Sequence, residues 1–235
     1  MKSQVTRRTF IGTAGTLAAA GTGTTLAADS LAADSPDAAE GKPVKVLGIC
    51  CSPRPGKSTA TALKVCLAAA EEAGVEVELI ELAGRQIPGD VAAGVPLAEG
   101  QRDDFPELAP RISDPAVAGI ILGTPVYFGN MSSLCKSLLD RFNVFRRNFA
   151  LSNKVGGVLS VGGSRNGGQE LTLRSVQTAL MGQEMIIVGD ARPTSHCGAT
   201  LWSGAPGGVT NDEAGLNTAK NLGRRVAEVA LRVAR

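Results

Sequence analysis

Three short stretches of this chain combine residue types suited to holding a flat, anionic ligand. The first is Ser52-Pro53-Arg54-Pro55-Gly56-Lys57-Ser58-Thr59, where an apolar β-branched run gives way to a helical pattern. Such a junction presents orphan backbone N–H groups and the positive end of a helix dipole, so a phosphate monoester is its natural guest. Ser52, Ser58 and Thr59 add hydroxyls, and Arg54 and Lys57 add charge. A plain basic turn capped by Ser58 accounts for the same residues without a ligand. Gly56-Lys57-Ser58 also matches the tail of a nucleotide-binding GxxxxGK(S/T) loop. Against that, Cys51 stands where the pattern opens with glycine, and Pro53 and Pro55 remove donors the cradle needs. No Asp follows Ile121-Leu122-Gly123 to hold magnesium, which weighs further against a nucleoside triphosphatase.

The second stretch is Thr124-Pro125-Val126-Tyr127-Phe128-Gly129-Asn130-Met131. Aromatics make up only 3% of the chain, and two of them are adjacent here. They offer an apolar wall to a planar heteroaromatic ring, with Gly129 and Asn130 giving close backbone approach and amide hydrogen bonds. Packing under a loop is the ligand-free explanation. The third stretch, Gly162-Gly163-Ser164-Arg165-Asn166-Gly167-Gly168, holds four glycines in seven residues. They permit close approach of backbone N–H groups to the polar edge of a ring system. A phosphate, a flat ring and a polar ring edge together describe flavin mononucleotide (FMN).

The elements around these stretches explain why they would meet. Val44–Cys50, Val75–Leu82, Val117–Gly123, Val155–Val161 and Met185–Gly189 read as apolar strands. Between and after them, residues 59–73, 131–141, 169–181 and 214–233 carry helical periodicity, with Leu63, Cys66, Leu67 and Ala70 on one face of the first. Strands alternating with helices predict a parallel sheet covered on both sides. Ligands of such sheets lie beyond the carboxyl ends of the strands, where the three stretches fall.

Residues 1–34 read as a signal peptide with the start of a linker, 35–43 as linker, and 44–235 as one domain. Thr6-Arg7-Arg8-Thr9-Phe10-Ile11 precedes an uncharged run of small residues to Ala28, and either Leu26-Ala27-Ala28 or Leu31-Ala32-Ala33 offers a cleavage site. The arginine pair resembles the twin-arginine type, which exports folded proteins. Export to the periplasm or another extracytoplasmic space is therefore expected, without stable membrane insertion after cleavage. The formal charge of +2 owes itself to this segment, since cleavage after Ala28 leaves 21 basic against 22 acidic residues. Nothing in that balance suggests a nucleic-acid partner.

CSPRPGKST, GTPVYFGNMSSLCKSLLDR and VGGSRNGGQELTL resemble the flavodoxin-like NAD(P)H-dependent FMN reductase family, over about residues 44–235. The resemblance implies a three-layer α/β/α sandwich around a five-stranded parallel sheet of order 2-1-3-4-5, with FMN bound non-covalently. It implies Ser52, Arg54, Ser58 and Thr59 at the phosphate. Pro125, Val126, Tyr127, Phe128, Gly129 and Asn130 would line the ring, and Gly162, Gly163 and Ser164 would meet its pyrimidine edge. Related iron–sulfur flavoproteins look similar but carry a compact cysteine cluster between the second and third strands. Here Arg85–Arg111 contains no cysteine, so electrons are expected to pass by flavin alone. That same Pro- and Gly-rich insertion is expected over the pocket or in a subunit interface.

The implied chemistry is hydride transfer from NAD(P)H to FMN, then reduction of a quinone, flavin or similar acceptor. A non-catalytic electron carrier or redox sensor docking on a protein partner is the alternative. The flavin carries the difficult step, so no catalytic side chain is required. His196, the only histidine, is a candidate for bordering the open face or donating a proton, or else a structural loop residue. Trp202 is a candidate wall of the same pocket. Cys50 and Cys51 read as core residues before redox ones. Phe142, Phe145 and Phe149, interleaved with Arg146 and Arg147, suggest a dimer interface, in keeping with an expected homodimer or homotetramer.

Overall fold

A computed structural model describes residues 43–234, so the signal-like segment and residues 35–42 of the linker lie outside the described residues. Strands β1 (Lys45–Cys50), β2 (Glu76–Glu81), β3 (Val117–Pro125) and β4 (Val155–Gly162) pair in parallel in the order β2-β1-β3-β4. Helices α1 (Ser58–Glu71), α2 (Phe105–Ser113), α3 (Ser133–Arg141), α4 (Gln169–Met181) and α5 (Glu213–Val233) cover the two faces.

Alternation along the strands divides the core in two. From β1, Leu47 and Ile49 face α2, α3 and α4, whereas Val46 and Cys50 face α1 and α5. In β3, Ile120 and Leu122 take the first side and Ile121 the second. Both faces are dry, which is why these strands read as unbroken apolar runs. The arrangement is the expected flavodoxin-like three-layer sandwich.

The fifth sheet position differs from expectation. Residues 185–189 were expected as one strand, but only β5 (Ile186–Ile187) pairs there, against Val155 and Gly156. A sixth strand, β6 (Ala199–Trp202), then occupies the same edge of β4 higher up, against Leu159–Gly162. Between them the chain leaves the ladder, through Pro193, which has no N–H to offer, and through left-handed Ala191 and Ser195. The edge strand is thus split in two.

Two further stretches pack partly into the core. The end of the Arg85–Arg111 stretch joins it, where α2 buries Phe105 and Leu108, whereas residues 93–102 are exposed. In the Phe–Arg cluster, Phe142 and Phe145 are buried within the chain with ring centroids 5.4 Å apart, while Arg146 and Arg147 are exposed. Only Phe149 is left half exposed. Arg141 lies 4.6 Å over the Phe105 ring and binds both carboxylate oxygens of Asp103 at 2.9 and 2.8 Å.

Helices α1 and α5 touch most closely at Gly223, where an added Cβ would stand 1.8 Å from the Cys66 carbonyl oxygen. Backbone cannot yield there as a side chain can. Gly223→Ala is predicted to cost about 3 kcal/mol, the upper end of ordinary overpacking. Urea denaturation checks this, as a lower midpoint with an unchanged slope.

Candidate functional site

The three stretches do converge at the carboxyl ends of β1, β3 and β4. Residues 51–57 join β1 to α1, residues 126–132 join β3 to α3, and residues 163–168 join β4 to α4.

At α1, Lys57 occupies the N-cap with no side-chain cap bond, and the first turn holds no acidic residue. The first helical N–H groups are therefore free for an external anion. Ser52 is buried, and its hydroxyl accepts from Arg54 N at 3.2 Å, so it shapes the turn from within. Arg54 is exposed, Ser58 half-buried and Thr59 buried at the helix start. Glu81, at the end of β2, accepts from Gly56 N at 2.9 Å and fixes the far side of the loop.

The second loop is a tight two-residue turn. Tyr127 N donates to Asn130 O at 2.8 Å, and Asn130 N returns to Tyr127 O at 3.0 Å. Phe128 and Gly129 between them have φ of 51° and 73°. This backbone suits Asn-Gly or Gly-Gly, and a phenylalanine in it is strained. Phe128 is nonetheless fully exposed and Tyr127 is 42% exposed, so the turn presents both rings outward instead of packing them beneath the loop. Asn130 turns its own side-chain oxygen to Met131 N at 2.8 Å.

In the third loop Gly162 is buried, while Gly163 and Ser164 are exposed. Gln169, which the sequence reading did not single out, is buried beneath it. Its amide donates to Ser164 O at 2.6 Å and accepts from Gly167 N at 2.8 Å. Trp202 Nε1 donates to Gly163 O at 3.0 Å.

Two contacts lock the loops together. Ser132 donates to Cys51 O at 2.6 Å and accepts from Cys135 N at 3.1 Å, joining the first loop to the start of α3. Gly168, at φ 95°, lies against Gly129 so closely that an added Cβ would stand 2.8 Å from its Cα. The adjacent thiols take no part in chemistry at the surface. Burial pushes Cys50 up to about 11. A hydrogen bond with Cys135, aided by burial, raises Cys51 well above its ordinary value. Both stay protonated and inert.

His196 lies elsewhere, in the segment that splits the sheet edge. Its Nδ1 is 3.2 Å from an oxygen of the fully buried Asp190, which also accepts from Thr194 at 2.5 Å. The ring lines a cavity of about 640 Å³ with Arg192, Arg224 and Arg225, to which none of the three loops contributes. Histidine and tryptophan therefore do not share a pocket: Trp202, at the end of β6, bonds to the third loop.

A family model for NADPH-dependent FMN reductases matches residues 44–199. The chain belongs to this family. An iron–sulfur flavoprotein of Methanocaldococcus jannaschii is 43% identical over 189 residues, covering 79% of this chain and 97% of that protein. An NAD(P)H dehydrogenase (quinone) of Chromohalobacter salexigens is 31% identical over 178 residues, covering 69% of this chain and 85% of that one. Among solved structures, a flavodoxin-type, WrbA-like protein of Agrobacterium tumefaciens shares the fold with TM-score 0.57 at 19% identity, over 81% of this chain and 98% of that one. The protein is a flavin-dependent oxidoreductase and its cofactor is FMN. The residues present suit it, with an uncapped helix terminus for the phosphate, exposed rings for the flavin and an exposed glycine backbone for its polar edge.

Gly168→Ala tests whether the second and third loops must touch. The strain and clash together are worth about 1–3 kcal/mol, so FMN affinity is predicted to fall about tenfold or more. Titration followed by flavin fluorescence reads the loss, with circular dichroism unchanged.

Proposed function

We propose that the protein takes hydride from a reduced nicotinamide cofactor and passes the electrons to a quinone, free flavin or similar small acceptor. The turn at Phe128 carries this reading. A strained backbone that holds Phe128 fully exposed and Tyr127 42% exposed has no packing role within the chain, and these rings border the convergent loops. An open shelf lets a second planar molecule stack on the first, as donor and acceptor must do in alternation. The family description and the quinone-reducing relative support the same assignment.

When bound, FMN supplies a site that accepts hydride and gives up two electrons. The chain's own residues bind and orient it. The α1 terminus, with Arg54 and Lys57, holds the dianionic phosphate, and Tyr127 and Phe128 wall the ring. Gly163 and Ser164 offer backbone to the pyrimidine edge. Reduction of a quinone consumes the hydride and one proton, which water supplies at so open a site, so no general acid is needed.

Flavin alone carries the electrons in this reading. Among the described residues no three cysteines gather as a cluster would need: Cys51 follows Cys50 and meets Cys135, while Cys66 lies on α1 and Cys197 in the split edge. Export through residues 1–34 belongs to the same proposal and rests on Arg7-Arg8 ahead of the small apolar run.

Purified protein is expected to show flavin absorption bands and to oxidise NAD(P)H over many turnovers when a quinone is added. Flavin bands with single-turnover reduction only would instead establish an electron carrier. Replacing Arg7 and Arg8 together by Lys is expected to block export in a bacterial host. Undiminished export would rule out the twin-arginine route.

A further inference from the structure

Arg165 stands in the third loop beside Ser164, and its surroundings are more elaborate than a surface arginine requires. Its guanidinium forms an ion pair with Asp212, whose side chain is fully buried. Asp212 caps α5, accepting from Gly215 N at 3.1 Å, and it also accepts from Trp202 N at 2.7 Å. The Arg165 guanidinium carbon lies 5.3 Å from the centroid of a Trp202 ring. The indole in turn donates to Gly163 O. Carboxylate, guanidinium, indole and glycine carbonyl form one closed circuit joining the third loop, the end of β6 and the start of α5.

Neutralising Asp212 does not explain this geometry. A guanidinium serving only as counter-ion gains most by engaging both carboxylate oxygens with its fork. Here one oxygen is taken by Trp202 N, and Arg165 reaches the other through Nη2 alone. The side chain remains 47% exposed. It is a cation held rigid on one side and open on the other, in the loop that meets the polar edge of the ring. Oxidised flavin is neutral in its ring system. After accepting hydride it carries a negative charge, shared between N1 and the C2 carbonyl. A fixed cation beside that edge favours the charged form at no cost in reorganisation.

We propose that Arg165, positioned by Asp212 and Trp202, offsets the charge on the N1–C2 carbonyl edge of reduced FMN. It thereby makes the protein hold reduced cofactor more tightly than it otherwise would. This rests on the reading that the third loop meets the pyrimidine edge, and it assigns to a side chain a role that loop backbone alone would otherwise carry.

The test uses the full FMN-loaded chain and compares dissociation constants for oxidised and, under anaerobic conditions, reduced FMN. In Arg165→Gln, affinity for reduced FMN is expected to fall about tenfold while that for oxidised FMN changes less than threefold. The two-electron midpoint potential falls correspondingly by about 30 mV. Arg165→Lys keeps the charge without the fork and is expected to lose about threefold in reduced-FMN affinity. Should Arg165→Gln fail to fold, the lysine variant decides. Equal losses in both oxidation states, or no loss in either, overturn the role of Arg165. Failure of the unaltered protein to bind FMN overturns the cofactor assignment itself, and this inference with it.

Discussion

Strand β3 is enclosed on both faces by helices and on both edges by β1 and β4, and most else follows from that enclosure. A polar side chain placed there without a partner would cost several kcal/mol, so β3 from Val117 to Gly123 is confined to Val, Ala, Gly, Ile and Leu. Chemistry is displaced to where strands end. There the chain must turn, backbone groups lose their ladder partners, and polar residues are tolerated. The three loops lie side by side because β1, β3 and β4 do. The shelf is thus a consequence of packing before it is a device for binding.

Loops placed by strand ends alone would be loose, and a cofactor held by loops needs them fixed to a fraction of an ångström. The molecule meets this with a few buried polar groups, each bridging two segments. The Ser132 hydroxyl joins residues 51 and 135, and the Gln169 amide joins residues 164 and 167 of the third loop to Leu201 of β6. The Asp212 carboxylate joins the third loop to β6 and α5. Each group is satisfied on both sides, which is the condition under which burial of polar atoms adds rigidity instead of instability. The strain at Phe128 is tolerated by the same logic, since the paired bonds of Tyr127 and Asn130 leave that backbone no relaxed alternative.

This division of labour explains what could be read from the chain and what could not. Doubly buried strands announce themselves as apolar runs, and α1, α3 and α5 by their periodicity, because both signals are local. The three loops stood out because glycine, proline and paired aromatics are unusual at strand ends, and they do converge at one end of the sheet. Gln169 and Ser132 carry no such mark, since a buried glutamine and an exposed one look alike until the partner carbonyls are in place. The split edge escaped for a related reason: Ala199–Trp202 is too short and mixed to signal a strand, and becomes one only against Leu159–Gly162. Interleaved Phe and Arg suggested an interface. Phe142 and Phe145 prove to be core residues while Arg146 and Arg147 stay exposed. The neighbouring Arg141, bound to Asp103, seats its guanidinium over Phe105 inside the protein, and charge in a sequence does not tell which charges will be paired.

Charge along the shelf follows the differing needs of its ends. A phosphate is an anion in every state of the cofactor, so in the proposed arrangement the first loop would set helix dipole, Arg54 and Lys57 against it, with Glu81 confined to Gly56 on the far side. The ring carries no charge when oxidised, and the middle of the shelf is correspondingly apolar. The polar edge becomes anionic only on reduction. An uncompensated arginine there would attract anions of every kind and hold the edge of the oxidised ring as firmly as the reduced one. Pairing Arg165 with a buried carboxylate lowers its net field while leaving its outward N–H groups oriented. What remains responds to charge that appears during the reaction more than to charge already present, which is the condition for an electrostatic interaction to favour turnover over mere binding.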